Sequence, residues 1–329
     1  MKDMYILAIE SSCDETSMSI IKNGSEEIAT VVLSQIDIHK NYGGVVPEIA
    51  SRNHIKNITI VLDEILNKAN IPLEDIDAIG VTYGPGLIGS LLIGVQAAKT
   101  IALVTGKPLI PVHHIAGHIY ANNLEKRLKF PLIALVVSGG HSELIYMKED
   151  YSFERIGGTL DDAVGECYDK VGKVIGLPYP GGPKVDKLAQ EGQANIELPR
   201  THFSEDTLDF SFSGIKTAVI NIHHKTPDIN KADLCASFEK NVTDTLMENV
   251  EKAIEKTKIN KITLAGGVSA NSYIRKAFAE LEKEGIEVYM PDLKLCTDNA
   301  AMIASAGYYN FISGKMDKLD LNAIPNLKL

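Results

Sequence analysis

Tyr5-Ile-Leu-Ala-Ile-Glu-Ser-Ser-Cys-Asp-Glu-Thr-Ser-Met-Ser-Ile-Ile-Lys-Asn-Gly24 decides the fold. It reads as an apolar strand, a small polar turn, a second strand and a tight turn. Roughly 127 residues later, Pro131-Leu-Ile-Ala-Leu-Val-Val-Ser-Gly-Gly-His-Ser-Glu-Leu-Ile-Tyr-Met147 repeats the same strand-turn-strand opening. The echo predicts two related α/β domains, each beginning with a hairpin whose turn faces a common cleft. On pattern alone, two unrelated hairpins would serve equally well.

Between the two openings, Asn57 to Ala69 places Ile58, Val61, Leu62, Ile65 and Leu66 on one helical stripe, and Asp75 to Tyr83 reads as a buried strand. Thr82-Tyr-Gly-Pro-Gly-Leu-Ile-Gly-Ser90 turns into an apolar run, Leu91 to Val104, which Gln96 and Lys99 mark as a buried helix rather than a membrane segment. In the second half, Ala232 to Lys256 has helical spacing, and Lys261-Ile-Thr-Leu-Ala-Gly-Gly-Val-Ser-Ala-Asn271 is strand, glycine turn and helix start. With no low-complexity linker, the chain is expected to cross between domains near Lys107 to Pro111.

The composition narrows the function classes. At 329 residues and 45% hydrophobic content, the chain has room for two packed domains. The apolar start, Met1 to Ile9, is too short for a signal peptide or a span. Cys13, Cys167, Cys235 and Cys296 lie far apart with no CxxC pattern, which argues against a disulfide framework or a structural zinc knot and for a cytoplasmic setting. A net charge of −10 opposes non-specific attraction to nucleic acid, so an RNA partner needs a local basic face or a second protein.

Four kinds of pattern can carry chemistry. His114 and His118 stand four apart in Pro111-Val-His-His-Ile-Ala-Gly-His-Ile-Tyr120, so a helix would point both imidazoles to one side, as a divalent metal clamp requires. Ile115 follows the first histidine where a zinc protease has glutamate, so the motif holds no adjacent general base. The bland alternative is a pair of surface histidines. Asp298, in Thr297-Asp298-Asn299-Ala300-Ala301-Met302, reads either as a helix N-cap or as a free carboxylate completing a two-His, one-carboxylate site suited to iron or zinc.

The glycine-rich corners Gly84-Pro-Gly86, Ser138-Gly139-Gly140-His141 and Leu264 to Asn271 lie at strand ends, where backbone amides can approach an anion or a hydroxyl-rich ligand. None matches a Walker loop or a dinucleotide fingerprint. Pro180 to Asp186 is a rigid turn followed by a carboxylate that suits a sugar hydroxyl, though such turns commonly only reverse the chain. Asp162, Glu166 and Asp169 are expected on one face of a helix, either as a solvated acidic stripe or beside a ligand.

Taken in order, nine motifs resemble the universal tRNA threonylcarbamoyl transferases of the bacterial TsaD type, once called O-sialoglycoprotein endopeptidases. They are Glu10-Ser-Ser-Cys-Asp-Glu-Thr16, Gly43-Gly-Val-Val-Pro-Glu-Ile-Ala-Ser-Arg52, Thr82 to Ser90, the His114/His118 motif, Val137-Ser-Gly-Gly-His141, Tyr179-Pro-Gly-Gly-Pro183, Phe210-Ser-Phe-Ser-Gly-Ile-Lys216, Ala265 to Asn271 and Thr297 to Ala301. The resemblance implies an α/β fold of two duplicated actin-like, sugar-kinase-like and Hsp70-like ATPase (ASKHA) domains facing a central cleft. The expected division is 1–107, completed by a C-terminal helix at about 300–329, and 108–299, which carries the metal and nucleotide site.

The same resemblance assigns a divalent metal, Fe(2+) or Zn(2+), to His114, His118 and Asp298. It assigns substrate binding to Val137, Ser138, Gly139, Gly140, His141, Asp169, Gly182, Asp186 and Asn271. The archaeal and eukaryotic branch has a tyrosine ligand where this chain has Val137, which implies three protein ligands here, and Ser142 replaces a bacterial threonine while keeping the hydroxyl. The implied reaction moves a threonylcarbamoyl group from threonylcarbamoyl-AMP, made by a separate synthase, to adenosine 37 of tRNAs that read codons beginning with A. Asp14 and Glu15, at the first hairpin turn, are candidates for taking the amine's proton. Implied partners are tRNA, an inactive TsaB-type paralogue in a heterodimer and a small TsaE-type P-loop ATPase, with no membrane. The helix over Asn57 to Ala69 is a candidate paralogue interface, though such helices more often pack on their own core. A metal-dependent endopeptidase and a nucleotide-sensing scaffold are the competing readings; the absent HExxH glutamate counts against the first.

Overall fold

The computed structural model describes residues 3–201, 203 and 206–329. The chain forms two compact units, one of residues 1–128 and 291–329, the other of residues 129–290.

The first unit opens with β1 (Tyr5–Glu10), β2 (Glu15–Lys22) and β3 (Glu26–Ser34), then a short helix α1 (Ile36–His39) and the long α2 (Pro47–Ala69). It continues with β4 (Ala78–Gly84), α3 (Ile88–Thr105), β5 (Leu109–His113) and α4 (His114–Tyr120). β1 runs antiparallel to β2 and parallel to β4, giving the sheet order β3-β2-β1-β4-β5. As the central strand it is apolar almost throughout, since helices cover a sheet with parallel strands. The predicted stripe on α2 packs inward through Val61 and Ile65, with Ile58, Leu62 and Leu66 at its edges, and the helix begins earlier than the stripe, at Pro47.

The second unit repeats this design. It contains β6 (Leu132–Val137), β7 (Ser142–Met147), β8 (Glu154–Gly158), α5 (Val164–Val174), α6 (Gly181–Ala189), α7 (Ser213–Lys225), α8 (Lys231–Thr257), β9 (Lys261–Ala265), α9 (Ser272–Glu280) and β10 (Glu287–Tyr289). The sheet order is β10-β9-β6-β7-β8, with β6 antiparallel to β7 and parallel to β9. Strand for strand, this is the order and polarity of the first sheet, so the echo between the two hairpins reflects a repeated topology. The chain then returns to the first unit, where α10 (Ala300–Ile312) packs against α4 and β1.

The boundaries differ from the expected 107/108 and 299/300. β5 pairs in parallel with β4, so the strand, and α4 that continues it, stay in the first unit. Asp298 follows the turn Leu293–Leu295, also in that unit. The apolar run at Leu91 to Val104 buries Leu91, Val95, Ala98, Ile101 and Ala102, but Leu103 and Val104 are 67% and 80% exposed rather than buried. Among the described residues, α3 is the one helix long and apolar enough to cross a membrane by length and composition, a test that core helices also pass.

Candidate metal and nucleotide sites

β5 delivers the chain directly into α4, and His113 caps that helix by accepting from Ile115 N. One turn further, His118 falls on the same side as His114, the two ring centroids 4.7 Å apart. Gly117 lets α10 come close: a Cβ there would lie 2.6 Å from Ile303 Cδ1. Just before α10, Asn299 accepts from Met302 N and so takes the N-cap role that the sequence allowed to Asp298. The aspartate is left for the histidines. Its Oδ1 is 3.2 Å from His118 Nε2 and 3.6 Å from His114 Nε2, and one ligand atom from each of the three residues lies within 4.8 Å of the others.

The donor set fits a divalent ion. His118 is 1% exposed, and beside the Asp298 Oδ1 contact at Nε2 neither ring nitrogen makes a hydrogen bond, which is costly for buried polar atoms unless something else binds them. Two imidazoles and a carboxylate are a ligand set that suits zinc or iron.

Glu10 is the residue that motif reading missed. At the end of β1 it is fully buried, and its carboxylate accepts from His114 Nδ1 at 3.1 Å, Thr82 Oγ1 at 2.6 Å and Ser12 N at 2.5 Å. A carboxylate can only accept, so Nδ1 carries the proton and Nε2 is the nitrogen turned toward Asp298. Burial alone would raise the Glu10 carboxyl, but the positive His114 and the hydrogen bonds bring it below the usual carboxylate range. For His114, burial pulls the other way from Asp298 and Glu10, and the two carboxylates win, lifting it to about 9. The one advance signal was a lone charge closing an otherwise apolar strand.

Asp14 and Glu15 lie at the β1–β2 turn in the same unit. Glu15 accepts from Ser34 Oγ at 3.0 Å, and its carboxyl stands well above the ordinary range through burial, then through the charges of Asp298 and Asp14. His54 on α2 anchors the turn, with Nε2 2.9 Å from the Cys13 carbonyl and Nδ1 2.8 Å from Thr16 Oγ1.

In the second unit, Val137 ends β6, and Ser138 to His141 form the turn into β7, closed by Ser138 N donating to the His141 carbonyl at 2.8 Å. A Cβ on Gly139 or Gly140 would meet nothing within 4 Å, so the corner is open, whereas Gly266, at φ +92°, would bring one to 2.4 Å from the Val137 carbonyl. Asp169 Oδ1 accepts from Gly181 N at 2.7 Å and Gly182 N at 3.3 Å, covering the start of α6. Asp186 accepts from Ser272 Oγ at 2.5 Å and Ser272 N at 3.1 Å. Asn271 caps α9 through Ile274 N. Contacts thus link Asp169, Gly182, Asp186 and Asn271 across α5, α6 and α9. The expected acidic face at Asp162, Glu166 and Asp169 does not form: Asp162 precedes α5, pairing with Lys170 and Lys216, and Lys170 also pairs with Glu166. These charges neutralise one another and need no ligand.

Two five-stranded sheets of one topology place the chain in the ASKHA class of ATPase-like folds. Full-length HypF in its phosphate- and nucleotide-bound form matches with a TM-score of 0.65 at 17% identity, over 94% of this chain and 46% of that one. Component A of the Acidaminococcus fermentans (R)-2-hydroxyglutaryl-CoA dehydratase matches at 0.55 and 16%, over 95% and 99%. Within that class, the chain belongs to the TsaD family, described as tRNA N6-adenosine threonylcarbamoyltransferase, whose sequence model matches residues 26–305. Proteins of that description from Clostridium botulinum strain 657 and Bacillus licheniformis are each 56% identical, over the whole of this chain and 98% of theirs.

Proposed function

We infer that this chain transfers a threonylcarbamoyl group to N6 of a tRNA adenosine. The observation that carries this is the full-length 56% identity with transferases of that description. The reading extends to a threonylcarbamoyl-AMP donor, adenosine 37 as acceptor, and an Fe(2+) or Zn(2+) ion.

His114, His118 and Asp298 would hold the metal, with Glu10 fixing the His114 tautomer. A bound divalent ion supplies Lewis-acid polarisation of a carbonyl oxygen. In the second unit, the open Ser138–His141 corner is assigned to the phosphate of the adenylate's AMP moiety through its backbone N–H groups, and Asp169, Asp186 and Asn271 to its nucleoside end, the carboxylates accepting from ribose hydroxyls. An exocyclic aromatic amine is a weak nucleophile, so orientation must supply much of the rate, on the order of several kcal/mol. Glu15 and Asp14, at the β1–β2 turn, are the groups assigned to receive the amine's proton. The carbamoyl–phosphate bond breaks as the new N6–carbonyl bond forms, and AMP leaves.

The TsaB-type paralogue and the TsaE-type ATPase complete the assay. Purified chain with both helpers, tRNA and threonylcarbamoyl-AMP should yield threonylcarbamoyladenosine by nucleoside mass spectrometry. No modified nucleoside with all components present, or product formation undiminished in His118→Ala, would count against the reading.

A further inference from the structure

α8 carries into the core of the second unit a carboxylate that the transfer reading does not use. Glu239 is 1% exposed. Its Oε1 accepts from Asn271 Nδ2 at 2.6 Å, and the Tyr168 hydroxyl is its other side-chain partner. Asn271 Nδ2 also reaches Tyr168 OH at 3.4 Å, while its Oδ1 caps α9 on Ile274 N at 3.0 Å. The Asn271 amide is therefore held at both ends. The next residue, Ser272, gives its backbone N–H and its hydroxyl to Asp186, and Tyr168 immediately precedes Asp169. From α8, a single buried carboxylate thus ties α5 to the cap of α9, which bear Asp169 and Asn271, two of the residues assigned to the AMP moiety. Stability alone gives little reason for it, because an apolar core of the same shape is commonly at least as stable.

We propose that Glu239 is a positioning residue for the nucleoside end of the adenylate, holding Asn271 and Tyr168 from inside the core so that Asn271, Asp169 and Asp186 act as one binding set. The inference rests on the reading of the second unit as the part that holds AMP.

The surroundings of Glu239 also raise its carboxyl. Burial first, then the charge of Asp186 on α6, push its carboxyl up to about 7 against the hydrogen bonds from Asn271 and Tyr168. Tyr168 on α5 and Cys235 on α8 also face it, and burial raises both, the thiol to about 12, so neither changes charge near neutrality. Ionisation of Glu239 adds a second negative charge beside Asp186, in a neighbourhood assigned to an anionic ligand.

The test is calorimetric binding of adenosine 5′-(methyl phosphate), whose single charge is constant between about pH 6 and about pH 8. For the wild-type chain, affinity should fall severalfold over that range. Glu239→Gln should match wild type at the lower pH and stay flat, and Glu239→Ala should bind on the order of tenfold more weakly. In the transfer assay the loss should fall on KM for the adenylate rather than on kcat. Asn271→Ala separates the two levels of the argument. Unchanged binding in Asn271→Ala would overturn the assignment of AMP to this unit. Weakened binding there, with a Glu239→Gln profile that tracks wild type at both pH values, would overturn the positioning role alone. The Gln variant keeps the side-chain shape, so this comparison decides even where Glu239→Ala fails to fold.

Discussion

Glu10 Oε2 stands 3.1 Å from His114 Nδ1, so a strand-end carboxylate in the core of the first unit orients an imidazole whose other nitrogen faces Asp298. The same Glu10 oxygen takes the Thr82 hydroxyl at 2.6 Å, which locks the carboxylate as well as the ring. Partners of this kind commonly contribute about 10- to 100-fold in metal affinity. Glu10→Gln should therefore weaken zinc or iron binding by about that factor, since a glutamine can turn its amino group to the ring and lose the fixed tautomer. Competition with a chromophoric chelator measures it, and affinity equal to wild type would remove Glu10 from the metal's support.

His118→Ala and Asp298→Ala act on the cluster itself. Each removes a ligand from a set of three, so metal content should fall to background and transfer with it. Binding of adenosine 5′-(methyl phosphate) should persist in both, because the residues assigned to AMP lie in the other compact unit. Metal analysis beside calorimetry checks both halves, and full metal occupancy in either variant would mean that the three residues do not share an ion.

Two glycines at neighbouring strand ends make opposite predictions. Gly266 has φ +92° and a Cβ would stand 2.4 Å from the Val137 carbonyl, so Gly266→Ala combines backbone strain with a clash against main chain that cannot swing away. The cost should be about 3 kcal/mol or more. At Gly139 nothing lies within 4 Å of an added Cβ, and Gly139→Ala should change stability by less than about 0.5 kcal/mol while weakening adenylate binding at the open corner. Urea denaturation of the two variants tests the contrast; equal stabilities would mean that the corners are built alike.

What the sequence made legible follows from what is local. Strand-turn-strand patterning marked both hairpins, and the four-residue spacing of His114 and His118 placed them on one helix face, because periodicity needs only neighbouring residues. Asp298 is ambiguous in the sequence because a polar residue before a helix is usually its cap, and in the fold Asn299 takes that role. The roles of Glu10 and Glu239 are not legible in the sequence, for one reason. Their partners, His114 and Thr82 for the first and Asn271 and Tyr168 for the second, are brought to them by tertiary packing. The unit boundary moved for a similar reason, since the pairing of β5 with β4 outweighs the break suggested near Lys107.

Glu239 also predicts how stability depends on pH. Its folded-state carboxyl is raised from an ordinary 4.5 to about 7, by burial and then by Asp186. A raised acid holds its proton in the folded state where the unfolded chain has already released it, so the unfolded state binds fewer protons across that window and stability falls as pH climbs through it. The penalty is absent below the unfolded value and complete above about 7, and the full shift corresponds to on the order of 3 kcal/mol. Glutamine keeps the shape and an acceptor oxygen for Asn271 but cannot ionise. Relative to wild type, Glu239→Gln should therefore gain stability by up to about 3 kcal/mol between about pH 5 and about pH 8, measured by urea denaturation at both. The sign of this difference is independent of how well the amide fits at either single pH, because the misfit is common to both. A wild-type minus variant difference that stays constant with pH would show that Glu239 ionises as freely in the folded chain as in the unfolded one, and the buried charge beside Asp186 would then have to be solvated.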